Sequence, residues 1–161
     1  NADAMHAAWG GLYDTNQVVL CLSADHKTTK NIRTKGAFTV SFADEKHTAA
    51  CDYVGIVSGN KEPDKLKKAG FTVTKSAYVD APVINELPMA LECRLVKFNE
   101  DGNVIGEIVN VSAEESILGE NGTVDPARLR PISFDPVNNG YFVLGERVGS
   151  AFSDGAKIEL D

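Results

Sequence analysis

The amino-acid sequence predicts a mainly β domain with short helices, built as a closed or split antiparallel barrel. Its helical stretches are short and separate, and they do not alternate regularly with strands, which disfavours a doubly wound parallel sheet. Its second half contains two long strand-like segments joined by a turn. Neither a GxGxxG nor a Walker A motif occurs, so neither a classical dinucleotide fold nor a P-loop enzyme is indicated.

The first half begins with a strand, a helix and a second strand. Val18–Ser23 (VVLCLS) is short, apolar and β-branched, which is typical of a buried strand. Lys27–Lys35 (KTTKNIRTK) predicts a short helix, with Thr28 or Thr29 near its N-cap and a glycine at its end. Ala37–Phe42 (AFTVSF) alternates apolar and hydroxyl side chains, as a strand with two different faces does.

The second half predicts an antiparallel hairpin. Ala90–Phe98 alternates apolar residues with Glu92 and Arg94, so we expect these two charged side chains on the face opposite the core. Asn99–Asn103 contains the turn dipeptide Asp-Gly, and Val104–Val111 then resumes the strand pattern.

Four further segments complete the prediction. Thr48–Val57 is read as a helix, and Asp64–Ala69 as a short solvated helix that a glycine ends. Gly140–Gly145 is predicted to be a late short strand. The small and polar tail Val148–Lys157 predicts a docking turn.

The charge balance limits the possible partners. The chain of 161 residues has the size of a single domain, 1–161. Sixteen Lys and Arg against 23 Asp and Glu give a net charge of −7, which argues against a nucleic-acid binder and against a polybasic membrane-surface protein. No apolar run approaches the ~18 residues of a membrane span. An anionic ligand would need local donors, because the overall field repels anions.

The cysteines indicate a reducing compartment. Cys21, Cys51 and Cys93 are odd in number, stand far apart and lack metal-ligand spacing. We expect three free thiols at small buried positions, no metal site and a cytoplasmic location.

The sequence contains no self-sufficient catalytic group. His6, His26 and His47 are scattered, and neither HExxH nor GxSxG occurs, so these histidines are read as ordinary surface or core residues. If the protein is an enzyme, a bound cofactor carries the chemistry, and no catalytic side chain is assigned.

The most informative segment is Ser23–Asn31 (SADHKTTKN), which joins a strand end to a helix start. Unpaired backbone N–H groups and the positive helix end meet hydroxyl, ammonium and amide side chains there, a combination suited to a phosphate monoester. The alternative is an ordinary capped surface helix, which the spacing alone favours.

Two other segments combine small residues with a possible ligand contact. Met5–Gly11 (MHAAWGG) places Trp9 before two glycines that would let backbone amides approach a flat ring. The alternative, which the sequence alone favours, is a Trp in the core beside a bend. Ala49–Gly59 (AACDYVGIVSG) would face a ligand or pack closely against a sheet.

In this order, these segments resemble the flavin reductase-like family of FMN-binding split barrels, especially its flavoredoxin branch. The resemblance runs through nearly the whole chain, in the stretches MHAAWGG (5–11), TTKNI (28–32), GAFTVSF (36–42), DYVGIVSG (52–59), DAPVINELPMALEC (80–93), VIGEIV (104–109), LRPISFD (129–135) and YFVLGERVGSAFSDG (141–155). It implies a Greek-key split barrel and a homodimer with FMN near the subunit interface. The family also has a strand before the segment matching Met5–Gly11, so we expect the native protein to be longer at its N-terminus.

By resemblance, the FMN site draws on three parts of the chain. The isoalloxazine edge would be lined by Ala7, Ala8, Trp9 and Gly10. The ribityl phosphate would be surrounded by Ser23, His26, Thr28, Thr29, Lys30 and Asn31. The remaining pocket wall would be formed by Ser41, Ala49, Ala50 and Cys51.

Three functions are then open. The first is an FMN-dependent oxidoreductase that takes hydride from NADH or NADPH and passes electrons to free flavin, a metal complex or a protein. The second is a non-enzymatic FMN electron carrier that a partner protein reduces. The third is a barrel-shaped binding module without a cofactor.

Overall fold

A computed structural model describes residues 1–158 of the chain. The chain forms strands and short helices in this order: β1 (Gly10–Asp14), β2 (Gln17–Leu20), α1 (Lys27–Lys35), β3 (Ala37–Ser41), α2 (Thr48–Ile56), α3 (Lys65–Lys68), β4 (Val73–Lys75), β5 (Pro82–Ile84), β6 (Met89–Phe98), β7 (Val104–Ala113), α4 (Pro126–Leu129), β8 (Ile132–Asp135) and β9 (Gly140–Val143). Short 3₁₀ turns lie at Glu45–His47, Glu115–Ile117 and Gly155–Lys157. The prediction of a mainly β fold with short helices is confirmed.

The main sheet is antiparallel and has the strand order β1-β2-β7-β6-β3. Two small antiparallel ribbons, β4–β5 and β8–β9, lie outside it. Strands β2 and β7 are neighbours although most of the chain separates them, so β1 and β2 join the sheet beside the hairpin that follows much later.

The β6–β7 hairpin is the longest pairing in the sheet, and its prediction is confirmed. The backbone N–H of Asn99 donates to the carbonyl oxygen of Asn103 at 2.9 Å, and the Asn99 side chain accepts from Asn103 N at 2.8 Å. Gly102 has φ +85°, a left-handed conformation that glycine adopts without a Cβ penalty. The glycine of the Asp-Gly dipeptide therefore occupies the turn position that needs a positive φ.

The core has two clusters, one between this sheet and helix α1 and a second in which Cys51 and Val54 of α2 pack with Phe71 and Leu87. Cys93 and Val104 are fully buried and pack with Ile32 of α1 and Phe38 of β3. A Cβ on Gly106 would overlap the Phe38 ring, so the absence of a side chain there lets the ring pack flat on the sheet.

Helix α1 has the predicted bounds, but its start differs from the prediction. Gly36 ends the helix in a left-handed conformation and donates its N–H to Ile32 O at 2.9 Å, as the glycine signal indicated. The N-cap residue is His26 rather than a threonine, and no side chain caps the first turn. Helix α2 ends one residue before the predicted boundary.

Glu92 is buried among polar side chains, apart from its strand neighbours Leu91 and Cys93 in the apolar core. Glu92 is 2% exposed, although its neighbour Arg94 is exposed as expected. Its carboxylate accepts hydrogen bonds from Ser76, Asn110 and Ser112. Burial opposes ionisation of Glu92, but these hydrogen bonds outweigh it and hold the pKa of Glu92 below its ordinary value.

Three smaller predictions are also wrong. Helix α3 is not fully solvated, because Lys65 is 3% exposed. Cys21 is exposed, although Cys51 and Cys93 are buried, and the structure has all three as free thiols. The tail Val148–Lys157 is almost entirely exposed instead of docked against the domain.

The predicted strands differ from the observed ones at their ends and in number. β3 and β9 lie inside the predicted ranges, whereas β2 begins one residue before its predicted range and ends three residues before the predicted end. No local pattern predicted β1, β4, β5 or β8. Every residue of β1 is exposed and its first two residues are glycine, so it lacks the alternation that identifies a half-buried strand.

Candidate functional site

A cavity of about 880 Å³ opens beside helix α1 and the strand β3. The N-terminal segment before β1, the helix α2 and the ribbon β4–β5 also line it, with single residues of β2, α3 and β8. Its volume falls within the range of roughly 300–1,000 Å³ that small-molecule sites occupy. Apolar side chains dominate the wall on the β3 side, where Phe38, Val40 and Phe42 lie.

The cavity gathers five of the residues predicted from the sequence. These are Ala7, Thr28, Asn31, Ser41 and Cys51. The other predicted residues do not line it: Ala8, Trp9, Gly10, Ser23, His26, Thr29, Lys30, Ala49 and Ala50. The residues that line the cavity are close in sequence to the predicted residues that do not. The predicted segments therefore lie at the cavity, although only some of their residues line it.

At the junction between β2 and α1, one predicted phosphate-site residue is buried in the fold and others are exposed to solvent. Thr29 is fully buried, and its hydroxyl donates to the Ser23 carbonyl oxygen at 2.8 Å, which leaves it no hydrogen for a ligand. Ser23, His26 and Lys30 are exposed around the uncapped helix start. The remaining donors, together with the helix end, have the chemistry of an anion site.

A buried ion pair that the sequence did not reveal lies beside this helix start. The Asp3 carboxylate accepts from the Thr28 hydroxyl at 2.7 Å and lies 3.1 Å from Lys65 Nζ. Lys65 also donates to the carbonyl oxygens of Val54 and Val57 at the end of α2. A Cβ on Gly59 would overlap the Asp3 carboxylate. The pair therefore anchors the N-terminal segment to three helices next to the cavity.

A second group of polar side chains lies where the N-terminal segment meets α2 and β9. The Tyr141 hydroxyl donates to Asp52 Oδ1 at 2.7 Å, and the Tyr141 hydroxyl oxygen lies 3.2 Å from His6 Nδ1. The His6 and Tyr141 rings stack with centroids 5.4 Å apart. A Cβ on Gly55 would lie 2.8 Å from the His6 Cβ, so this glycine lets His6 pack closely on α2. His6 lines the cavity.

The protonation of this group follows from its surroundings. Burial lowers the pKa of His6, and the Asp52 carboxylate offsets part of that effect. Burial and the hydrogen bond to Asp52 raise the pKa of Tyr141 to about 12, so its phenol stays protonated. No local motif links these residues, which are 89 and 135 positions apart from Tyr141, so sequence reasoning missed them.

An aromatic row continues from this group to the surface. Phe134 lies 5.6 Å from Tyr141 and 6.3 Å from Trp9 between ring centroids. Trp9 is 53% exposed, so the interpretation of a core Trp is wrong. A Cβ on Gly10 would lie 2.6 Å from Val19 O, so close packing of β1 on β2 explains that glycine.

Cys51 is a neutral part of the cavity wall. Burial, with a smaller effect from the Asp44 carboxylate, raises the pKa of its thiol to about 11. A nucleophilic or metal-binding cysteine needs a thiolate, so Cys51 contributes a small apolar surface. Within residues 1–158, no group of three or more His, Cys, Asp and Glu side chains is arranged to hold a metal ion.

Three lysines line the cavity despite the acidic composition. Lys35 Nζ and Lys75 Nζ lie 2.9 and 3.5 Å from the Asp80 carboxylate, and all three residues line the cavity, as does Lys27. The hydrogen bond from Lys35 holds the pKa of Asp80 below its ordinary value. The lining therefore holds three ammonium groups against two carboxylates, Asp80 and Asp3, and Asp3 is already paired with Lys65. This leaves a local positive excess, which favours an anionic ligand.

The apolar wall and the lining lysines give this cavity the chemistry to hold a largely apolar ligand that carries an anionic group. Residues 13–132 match the family described as flavin reductase like domain, which covers most of the chain. The chain belongs to this flavin reductase-like family, whose solved members have a split-barrel fold.

Solved structures place it near the flavoredoxins. Flavoredoxin of Desulfovibrio vulgaris (Miyazaki F) is 36% identical with a TM-score of 0.91, over 95% of this chain and 84% of that one. Flavoredoxin from Methanosarcina acetivorans is 28% identical with a TM-score of 0.87, over 95% of this chain and 83% of that one.

The curated relatives are longer proteins. A protein of Aquifex aeolicus without an assigned function is 32% identical over 111 residues, which are 65% of this chain and 55% of that protein. The chain thus spans about half the length of this relative, and a third of the length of two others. Among residues 1–158, no helix has the length and apolar character to cross a bilayer.

Proposed function

We propose that this protein binds FMN in the cavity beside α1 and transfers hydride from NADH or NADPH through it to a flavin, metal or protein acceptor. The observation that carries the proposal is the cavity itself, which joins an apolar wall to the uncapped start of α1. When bound, FMN supplies the capacity to accept a hydride and to give up its electrons. The likeness to two flavoredoxins supports the choice of cofactor.

The chain's own residues fit the two chemically different ends of FMN. The isoalloxazine ring is proposed to lie against the N-terminal segment and the apolar wall, near Ala7, Ala8, Trp9, Gly10, Ser41, Ala49, Ala50 and Cys51. The phosphate is proposed to lie near Ser23, His26, Thr28, Lys30 and Asn31, with Thr29 supporting their backbone. Thr29 keeps this supporting role because its hydroxyl is already donated to Ser23.

The same site also suits an electron carrier that a partner protein reduces. The 36% identity to a flavoredoxin over 95% of this chain favours this second function. It differs from the first only in the reductant, since both need FMN in the cavity.

A second copy of the chain is proposed to complete the site. Leu12 and Tyr13 on β1 expose 75% and 57% of their surface, and Trp9 just before this strand exposes 53%. Strand β1 forms an edge of the main sheet. Exposed apolar side chains on a strand edge favour association with another chain. The free thiols support a reducing cytoplasmic location.

Two measurements test the function. Incubation with FMN, followed by gel filtration, is expected to leave a yellow protein, whereas a colourless one would support a binding module without a cofactor. Anaerobic mixing of the yellow protein with NADH or NADPH is expected to bleach the flavin absorbance within seconds. Persistent colour would contradict the reductase and support the carrier.

A further inference from the structure

The His6–Tyr141–Asp52 group has a defined hydrogen-bond direction. Tyr141 O–H is donated to Asp52 at 2.7 Å, so the phenol oxygen can only accept from His6 at 3.2 Å. This network assigns the proton of the neutral His6 ring to Nδ1. Nε2 is then the basic nitrogen, and a proton added there creates an imidazolium that the Asp52 carboxylate stabilises through Tyr141.

The surroundings of His6 hold few other charges. Helix α2 presents Asp52 and Gly55 to it, and β9 presents Tyr141. Cys51 of α2 interacts with Tyr141 and stays a neutral thiol. Burial has the larger effect on the pKa of His6 and lowers it, and the Asp52 carboxylate is the charge that offsets part of this effect.

We propose that His6 is a catalytic residue that exchanges a proton with the acceptor reduced in the cavity, and that Tyr141 and Asp52 are positioning residues. The acceptor class that needs such a residue takes up a proton together with a hydride, as quinones do. This inference rests on the proposed function, because it needs a hydride donor in the same cavity. His6 lines the cavity, which puts it within reach of such an acceptor.

The reaction balances for a quinone. Bound FMN, once reduced, would supply one hydrogen and two electrons, as a hydride, to one quinone oxygen. The other oxygen gains the proton from His6 Nε2, so the product is the neutral hydroquinone. His6 returns to its neutral form with hydrogen on Nδ1, and water supplies the next proton to Nε2.

Two acceptors separate proton transfer from electron transfer. The FMN-loaded protein is reduced anaerobically and mixed in a stopped-flow instrument with a soluble benzoquinone or with ferricyanide, which takes electrons without protons. A positioned general acid contributes about 10²–10⁴-fold, so His6→Gln is expected to slow quinone reduction roughly 100-fold. Its reaction with ferricyanide should stay within about twofold, and His47→Gln serves as the matched histidine control. Equal slowing with both acceptors, or none with quinone, would overturn the proposal.

The pH dependence gives a second readout. Donation requires protonated His6, so the ratio of quinone to ferricyanide rates is expected to fall as pH rises through the lowered pKa of His6. Tyr141→Phe and Asp52→Asn should shift this fall to lower pH, because each weakens the stabilisation of the imidazolium. A ratio with the same pH profile in all variants would contradict the positioning roles.

A measurement without turnover separates this inference from the proposed function. In ¹⁵N NMR spectra of the protein before FMN is added, His6 is expected to carry hydrogen on Nδ1, and Asp52→Asn should lower its pKa. A protein that binds no FMN would refute the proposed function and leave this result standing. A His6 ring with hydrogen on Nε2, or a pKa unchanged in Asp52→Asn, would refute the inference even in a protein that binds FMN and is reduced normally.

Discussion

At the scale of single residues, two buried charges are held by partners that are distant in sequence. Lys65 pairs with Asp3 and with two carbonyl oxygens of α2, while Glu92 accepts from three side chains. A buried ion is stable only when such groups replace its lost water. Both side chains belong to residue types that are mostly exposed. The prediction of a solvated helix at Asp64–Ala69 is wrong at Lys65, because these partners enclose its ammonium group.

We expect Lys65→Met to lower the free energy of unfolding by about 3 kcal/mol, because it leaves the Asp3 carboxylate buried without its cation. Urea unfolding measures the loss. Lys67→Met is the matched control, since Lys67 is an exposed lysine of the same helix. The double variant Asp3→Asn, Lys65→Met should recover part of the loss. A Lys65→Met protein as stable as Lys67→Met would mean that the pair contributes nothing.

Glu92 should make stability depend on pH. Its folded pKa lies below its ordinary value, so its contribution is present above the unfolded pKa of about 4.3 and is lost as pH falls through the folded pKa. At pH 7, Glu92→Gln should reduce the free energy of unfolding by about 1–3 kcal/mol. The glutamine NH₂ group would face side chains that donate to the Glu92 carboxylate, so at least one buried hydrogen bond would be lost. This difference from the natural protein should shrink in urea titrations below pH ~4. A difference independent of pH would show that Glu92 is not ionised in the fold.

At the scale of elements, the two ends of α1 have different determinants: local sequence sets its end, and tertiary packing sets its start. Its end at Gly36 depends on one left-handed residue and one hydrogen bond, which the sequence pattern predicts directly. Its start depends on which threonine faces the core. Thr29 turns inward and bonds to Ser23, so it neither caps the helix nor offers a hydrogen to a ligand.

The start of α1 should distinguish FMN from riboflavin. Lys30 is exposed there, so Lys30→Gln is expected to weaken FMN roughly tenfold through loss of one charge-assisted hydrogen bond. Riboflavin, which lacks the phosphate, should bind within about twofold of its normal affinity. Fluorescence quenching titrations of both flavins give the ratio, and Lys97→Gln on β6 is the control lysine. Equal weakening of both flavins would remove the phosphate assignment at Lys30.

At the scale of the whole molecule, exposed apolar side chains on β1 lead to a prediction about assembly. Leu12 is 75% exposed on an edge strand, so Leu12→Glu is expected to convert a dimer to a monomer and to weaken FMN binding together with it. Light scattering reports the mass, and flavin titration reports the affinity. Val137→Glu, at another exposed apolar position, is the control. A natural protein that is monomeric with full FMN affinity would contradict the shared site.

The sequence by itself determined the β6–β7 hairpin, the bounds of α1 and the family, because turn residues, periodicity and ordered motifs are properties of neighbouring positions. It also led to cavity residues such as Thr28 and Cys51, through the family resemblance. Only the tertiary structure decided the burial of Glu92, the Asp3–Lys65 pair and the His6–Tyr141–Asp52 group. Glu92 on β6 bonds to side chains of β7, and Asp3 of the N-terminal segment pairs with Lys65 of α3. The third group joins His6 of the N-terminal segment to α2 and β9. These contacts form only after the elements pack together.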